Sequence, residues 1–327
     1  MRKREIAAML MTAVILVTGG VLLHDPALIK ADQAAGSAKG SETGGTGAID
    51  GKSGSVTTDD WEGTGLSATA LDPSFFANGA CTEFTPGGGP VRDDTVFIDA
   101  GHGGIDPGGE GQTNSGATVT ESAVNLSVAL DAMRLLTSEG YRVVLSRTEQ
   151  STVLKLAPDD TDGGLLSVTG VEQDLAARDV CANDAHAKLL VGIYMNAGSP
   201  GEAGSVTVYD AARSFSSDNE HFANLLQTDV LAKLNAQGYQ IPNGGVSTDT
   251  GYGSTVSEAG ISYGHLELLG PAYPQNGFTT PSQMPGALIE PLFLTDPFEA
   301  SIAASDNGQQ LIAEGVADAV GQYFTRS

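Results

Sequence analysis

The sequence predicts an α/β fold, a single domain whose twisted, mostly parallel sheet is flanked by helices on both faces. Three observations predict it. Short β-branched runs alternate with longer segments whose apolar residues recur every three or four positions, the pattern of strands alternating with helices. The first strand, helix and second strand follow each other in a compact βαβ unit, which the right-handed crossover rule turns into a parallel pair. The first strand also ends in a Gly-rich turn that carries polar residues, as ligand sites do at the carboxyl ends of strands in open sheets.

The first strand is Thr95-Val96-Phe97-Ile98, and it runs into Asp99-Ala100-Gly101-His102-Gly103-Gly104. Glycines let the backbone turn sharply there and leave one imidazole unshielded. A polar Gly-rich loop follows. Thr120 reads as an N-cap and Glu121 as the first turn of a helix whose inward face carries Ala123, Leu126, Leu130 and Met133. Glu139-Gly140 ends that helix, and residues 141–146 form the second strand.

Residues 150–170 are polar, with Pro and Gly, and read as an exposed insertion. A helix over 171–185 should turn Leu175, Ala176, Val180 and Ala182 inward. Residues 188–193 form a buried strand ending at Tyr194-Met195-Asn196-Ala197, and 205–209 a short one. Residues 215–235 form a helix with Phe222, Leu225, Leu226, Val230 and Leu234 on its buried face. Residues 241–263 are a Gly/Ser/Thr-rich loop suited to rim a groove. Two more strands are expected at 265–269 and 287–292, and a closing helix at 308–324.

Outside this domain, taken as 93–327, two segments stand apart. Residues 1–31 open with Met1-Arg2-Lys3-Arg4 and continue as an apolar run from Ile6 to Leu23. This is a signal peptide or an N-terminal membrane anchor, with cleavage near Ala31 or Ala35 and retention both open. Residues 32–92 are a Gly/Ser/Thr-rich tether and a Pro/Gly-rich lead-in, too poor in large apolar residues to offset the entropy of ordering. The chain is therefore expected outside the cell or in the cell wall, touching membrane only through its N-terminal segment. Two cysteines, Cys81 and Cys181, suit one disulfide in an exported protein.

Composition removes some classes. With 16 Lys+Arg against 40 Asp+Glu in 327 residues, the net charge of −24 repels nucleic acid. The dinucleotide fingerprint fails because Asp106 stands where the third Gly is needed, and Gly51-Lys52-Ser53 has Thr46 where a phosphate loop needs Gly.

Taken together, Asp99 to Gly104 with Asp106, Glu121 with Asn125-Leu126, residues 140–148, residues 175–178, and Ala287-Leu288-Ile289-Glu290 with Phe293-Leu294 resemble the zinc-dependent N-acetylmuramoyl-L-alanine amidases of bacterial cell walls, the amidase-3 family. The resemblance spans about residues 96–324. It implies cleavage of the amide between N-acetylmuramic acid and L-alanine of the stem peptide, with peptidoglycan or muropeptide as substrate; the chain is expected to be a monomer. The resemblance also implies Zn2+ on His102 and Glu121, and Glu290 as general base. Three protein ligands leave zinc an open position for water. An unpaired carboxylate inside an apolar strand, as Glu290 is, would otherwise be costly.

One position departs from the family. Its third ligand is a His in a His-x-Asn-Ala setting, and here Tyr194 stands in that place. A phenol titrates near pH 10 and must lose its proton to ligate well. His186 begins the strand that Tyr194 ends, over ~20 Å away. His265 is a substitute ligand if its strand runs antiparallel to its neighbours. Three arrangements stay open: zinc with Tyr194, a site rebuilt with His265, or weak or no metal. Two functions stay open with them, an active amidase and an amidase-like domain that binds muropeptide or a wall-remodelling partner.

Overall fold

A computed structural model describes residues 66–251 and 262–325 of the chain. The N-terminal signal or anchor segment, nearly all of the tether and part of the 241–263 stretch lie outside the described residues. The strands are β1 Ser67–Ala70, β2 Ala80–Thr85, β3 Thr95–Ala100, β4 Glu110–Gln112, β5 Thr118–Thr120, β6 Arg142–Arg147, β7 Thr161–Asp162, β8 Leu165–Leu166, β9 Leu189–Ile193, β10 Ser205–Tyr209, β11 Asn243–Thr248 and β12 Gly286–Glu290. The helices are α1 Glu121–Ser138, α2 Val168–Asp184, α3 Ser216–Ala236, α4 Pro297–Ala303 and α5 Asp306–Thr325.

One sheet of eight strands in the order β1-β2-β6-β3-β9-β12-β10-β11 organises the molecule. Its centre, β6-β3-β9-β12, is parallel throughout. The strands β3, β9 and β12 are buried along their whole length, as strands covered by helices on both faces must be. One apolar layer packs α1, α3 and α5 on the sheet through residues such as Met133, Leu136, Phe222, Val230 and Val316. The other packs α2 on the opposite face through Cys181, Ala182 and Leu190.

The sheet begins earlier than the expected first strand at Thr95, because β2 pairs antiparallel with β6 and β1 with β2. Cys81 on β2 is bonded to Cys181 on α2, Cα to Cα 5.6 Å, so the lead-in is stapled to the helix layer. Residues 265–269 are a turn rather than a strand, and β11 lies within the stretch read as loop. In α2 the buried positions are Gly170, Asp174, Ala177, Arg178, Asp179, Cys181 and Ala182, so the expected apolar face at Leu175, Ala176 and Val180 is only partly covered. Ala123 is exposed, and Val124 takes the inward place in α1. Among the described residues no helix is long and apolar enough to cross a membrane.

Candidate metal and catalytic site

The carboxyl ends of β3, β9 and β12 converge on one polar hollow, built first by the turn after β3. His102 sits there with φ of 58°, a left-handed backbone that a non-glycine residue adopts only when neighbours enforce it. Two guanidinium groups supply the enforcement. Arg147 donates to the carbonyls of Ala100, Gly101 and Ser122 at 2.9, 2.9 and 2.7 Å. Arg178 donates to the carbonyls of Ala100 and His102, both at 3.1 Å. Gly101 must be glycine for a separate reason, since a Cβ there would lie 2.4 Å from the Tyr194 ring.

With its backbone fixed, His102 is oriented by Asp106, whose Oδ2 lies 2.8 Å from Nδ1. That contact puts the neutral ring's proton on Nδ1 and leaves a lone pair on Nε2. Nε2 is buried without a hydrogen-bond partner, and 3.2 Å from it lies Oε2 of Glu121. Two lone pairs facing at that distance call for a cation between them, a proton or a metal ion. Burial disfavours a charged imidazole, yet Asp106 and Glu121 outweigh it and hold the His102 pKa well above its usual value. Burial likewise works against the Asp106 carboxylate, and the charge of His102 wins, taking it down to about 2.

Glu121 is held rigidly. Its Oε2 accepts from the Gly109 amide at 2.8 Å and its Oε1 from the Met195 amide at 3.1 Å. Thr120 does take the N-cap position of α1, although its side chain makes no capping hydrogen bond. Glu290, the last residue of β12, is buried, with Oε2 accepting from Asn196 Nδ2 at 2.8 Å and Oε1 without a partner. Its carboxyl is pushed well above the usual range, by burial first and then by the charge of Glu121. This buried carboxyl keeps one oxygen free and feels the charges of Glu121 and His102, which makes it a candidate for proton transfer.

Tyr194 closes the floor of the hollow, its ring 5.5 Å from that of His102. Its hydroxyl points down, donating to Asp99 Oδ2 at 2.8 Å. Burial and then Asp99 raise its pKa well above 10, against loss of the proton. His265 is not brought to this hollow. It pairs with Asp210 and Asp249, which follow β10 and β11, and those strands run against β12 and end beyond its other end. The expectation of a site rebuilt with His265 is corrected by this topology: its segment is a turn whose leucines pack on the α2 face of the sheet, and its imidazole is turned to Asp210 and Asp249.

Of the residues expected from sequence, His102 and Glu121 stand 3.2 Å apart, and the Glu290 carboxyl lies near enough to feel both charges. Asn196, which holds Glu290, and Asp99, Arg147, Asp174 and Arg178 beneath the turn join them without having been expected there. The signal for the latter was present as charged residues inside otherwise apolar elements.

An α/β sheet that gathers a largely buried His, two buried Glu and an unpartnered carboxyl oxygen at its carboxyl edge has the titratable groups of a hydrolase site. The family model described as N-acetylmuramoyl-L-alanine amidase matches residues 96–322. The chain belongs to that family, the N-acetylmuramoyl-L-alanine amidases, and is an enzyme of that kind. It is 26% identical over 240 residues to the germination-specific N-acetylmuramoyl-L-alanine amidase of Bacillus subtilis (strain 168), covering 72% of this chain and 82% of that protein. It is 23% identical over 234 residues to a putative N-acetylmuramoyl-L-alanine amidase of Buchnera aphidicola, covering 71% and 96%. Among solved structures, the CwlD amidase from Clostridioides difficile in complex with the GerS lipoprotein shares the fold at TM-score 0.52 and 20% identity, covering 72% of this chain and all (100%) of that one.

Proposed function

We propose that this chain is an exported peptidoglycan hydrolase that cleaves the amide between N-acetylmuramic acid and L-alanine, with Zn2+ held by His102 and Glu121 and with Glu290 as general base. The observation that carries this reading is the bare His102 Nε2, fixed by Asp106 and facing Glu121 Oε2 at 3.2 Å. Ligand atoms on a tetrahedral ion with bonds of about 2.0–2.2 Å are about that far apart. When bound, zinc supplies Lewis acidity that polarises the scissile carbonyl and lowers the pKa of water toward about 7.

The chain's own residues do the rest. Asp106 keeps the His102 proton on Nδ1. The Met195 and Gly109 amides hold the Glu121 carboxylate in place. Asn196 aims Glu290 by gripping Oε2, which leaves Oε1 to take a proton from the attacking water and hand it to the leaving amine. A cation beside Glu290 lowers its raised pKa and so makes it a base at neutral pH. Tyr194, which stands in the place of the family's third ligand, joins this set only by leaving Asp99, against a raised pKa.

A second reading rests on that last point. Two firm protein ligands bind zinc more weakly than three, and an amidase-like domain that holds muropeptide without turning it over fits a Tyr194 committed to Asp99. The deciding experiment is zinc content and muropeptide turnover of the full chain, with His102→Ala and Glu290→Gln beside it. One zinc in this site, lost in His102→Ala, and free stem peptide, lost in Glu290→Gln, establish the amidase. A folded protein that binds muropeptide and releases no stem peptide at saturating Zn2+ establishes the binding reading instead.

A further inference from the structure

The antiparallel turn of the sheet gives it a second carboxyl edge. β10 and β11 are parallel to each other, with Tyr209 opposite Thr248, and both run against β12. Asp210 and Asp249 are the next residue after each strand, so two carboxylates stand side by side, joined by the Asp249 amide on the Tyr209 carbonyl at 2.9 Å. Val206 lies opposite Glu290 and Val208 opposite Leu288. Continuing that register puts Asp210 about four residues, or ~13 Å, along the strand from Glu290. This edge is therefore separate from the hollow of His102 and Glu121.

Both side chains are fully buried. Asp210 Oδ1 accepts from the amides of Ala212 and Arg213, at 2.7 and 2.9 Å, while Oδ2 receives no hydrogen bond. Asp249 Oδ2 accepts from the Leu266 amide at 3.1 Å. Across from both stands His265, the partly exposed member, whose Nδ1 is 2.8 Å from Asp210 Oδ2 and 3.2 Å from Asp249 Oδ1. One ring nitrogen carries at most one hydrogen, so it cannot satisfy both carboxylates. The nearby Arg213 guanidinium is committed elsewhere, to the carbonyls of Leu269, Gly270 and Ser282.

Two buried carboxylates facing one imidazole nitrogen, with an orphaned oxygen turned into the cluster, lack positive charge at their centre. Each residue can offer one ligand atom, all within 4.8 Å of one another. We infer that Asp210, Asp249 and His265 form a second metal site, for a divalent transition ion taking mixed nitrogen and oxygen ligands, at the edge of the sheet opposite the amidase centre. The donor set suits Zn2+ or Mn2+, since imidazole favours the former and paired carboxylates the latter. Such an ion ties the ends of β10 and β11 to the turn at 265–269.

The test is Zn2+ stoichiometry of the full chain, stripped with chelator, re-equilibrated and measured by elemental analysis after dialysis. His265→Gln, His102→Ala and the double variant are taken through the same steps. The site predicts one ion fewer in His265→Gln than in the parent, whatever His102→Ala does. It also predicts that Zn2+ raises the melting temperature of His102→Ala by several degrees and that of the double variant by none. Equal Zn2+ content in the parent and a folded His265→Gln overturns the inference and makes the trio a hydrogen-bonded Asp-His-Asp cluster. Loss of one ion only in His102→Ala supports the amidase centre alone, and loss only in His265→Gln sinks the zinc amidase reading while leaving this one standing.

Discussion

The Tyr194 hydroxyl donates to Asp99 Oδ2 at 2.8 Å, and the other oxygen of Asp99 takes the Arg178 guanidinium at 2.7 Å. A residue in the place of a zinc ligand is thus bound into the support beneath the site. Tyr194→Phe deletes one neutral-to-charged hydrogen bond and leaves Asp99 Oδ2 buried and unpaired, a cost of about 1–3 kcal/mol. Thermal melting should show that loss while Zn2+ content is unchanged. Tyr194→His, by contrast, should tighten zinc, and direct titration against a competing chelator reads it. If Tyr194→Phe empties the site, the hydroxyl is a ligand after all.

Arg178 carries more than its share of this support. Between Asp99 and Asp174, at 2.7 and 2.8 Å, it is fully buried and also grips two carbonyls of the turn that presents His102. Burial disfavours its charge, and the two carboxylates outweigh that and raise its pKa well above the usual value. Removing one partner of a buried ion pair costs about 3–5 kcal/mol. Arg178→Met should therefore lower the urea midpoint markedly. Arg178→Lys should recover little, because one ammonium cannot make the forked contacts to Asp99, Asp174 and both carbonyls.

How far these features could be read from sequence depends on what physical pattern each one leaves. β3, β6 and β9 announce themselves as continuous β-branched and aliphatic runs, because both their faces are covered, and α1 by the three-and-four spacing of its apolar residues. The turn at 265–269 does not: His265-Leu266-Glu267-Leu268-Leu269 alternates like a strand, yet its buried leucines pack a turn whose amides are spent on Asp249 and on Leu266 itself. The lead-in hid β2 for the opposite reason. Its six residues pair with β6 beside a disulfide, and the pairing, not composition, makes it a strand. In α2 the rule that apolar residues face inward fails because Asp174 and Arg178 satisfy each other and the turn. His102, Glu121 and Glu290 stand out in the sequence as polar residues at the ends of apolar elements, whereas the contact of Asn196 with Glu290 is seen only in the distance.

The Cys81–Cys181 bridge closes a loop of sequence separation 100 and ties β2 to α2. Chain-entropy arguments give a loop of this length about 4–5 kcal/mol through the unfolded state. The double variant Cys81→Ser/Cys181→Ser should melt well below the parent. Because β2 is held by its ladder to β6 as well as by sulfur, Zn2+ stoichiometry in the folded double variant should match the parent. A melting temperature insensitive to reductant in the parent contradicts the bridge.

Stability should also fall as pH rises through neutrality, and Glu267 is one source. Its carboxyl is buried with Oε2 unpartnered and is pushed up to about 8, by burial first and then by Glu172. In the unfolded chain the same group titrates near 4.3. The folded state therefore holds a proton that the unfolded state has released, which makes the folded state relatively more stable at low pH. That contribution is complete below about pH 4, declines as pH rises and is gone above about pH 8, an effect on the order of a few kcal/mol. Glu267→Gln keeps the shape and cannot ionise. Melting of parent and variant at pH 6 and pH 9 should show the parent losing stability across the interval and the variant losing distinctly less. Parallel losses in the two proteins would place the pH sensitivity in the other buried carboxyls that are raised, Asp179, Asp249, Glu290 and Glu299.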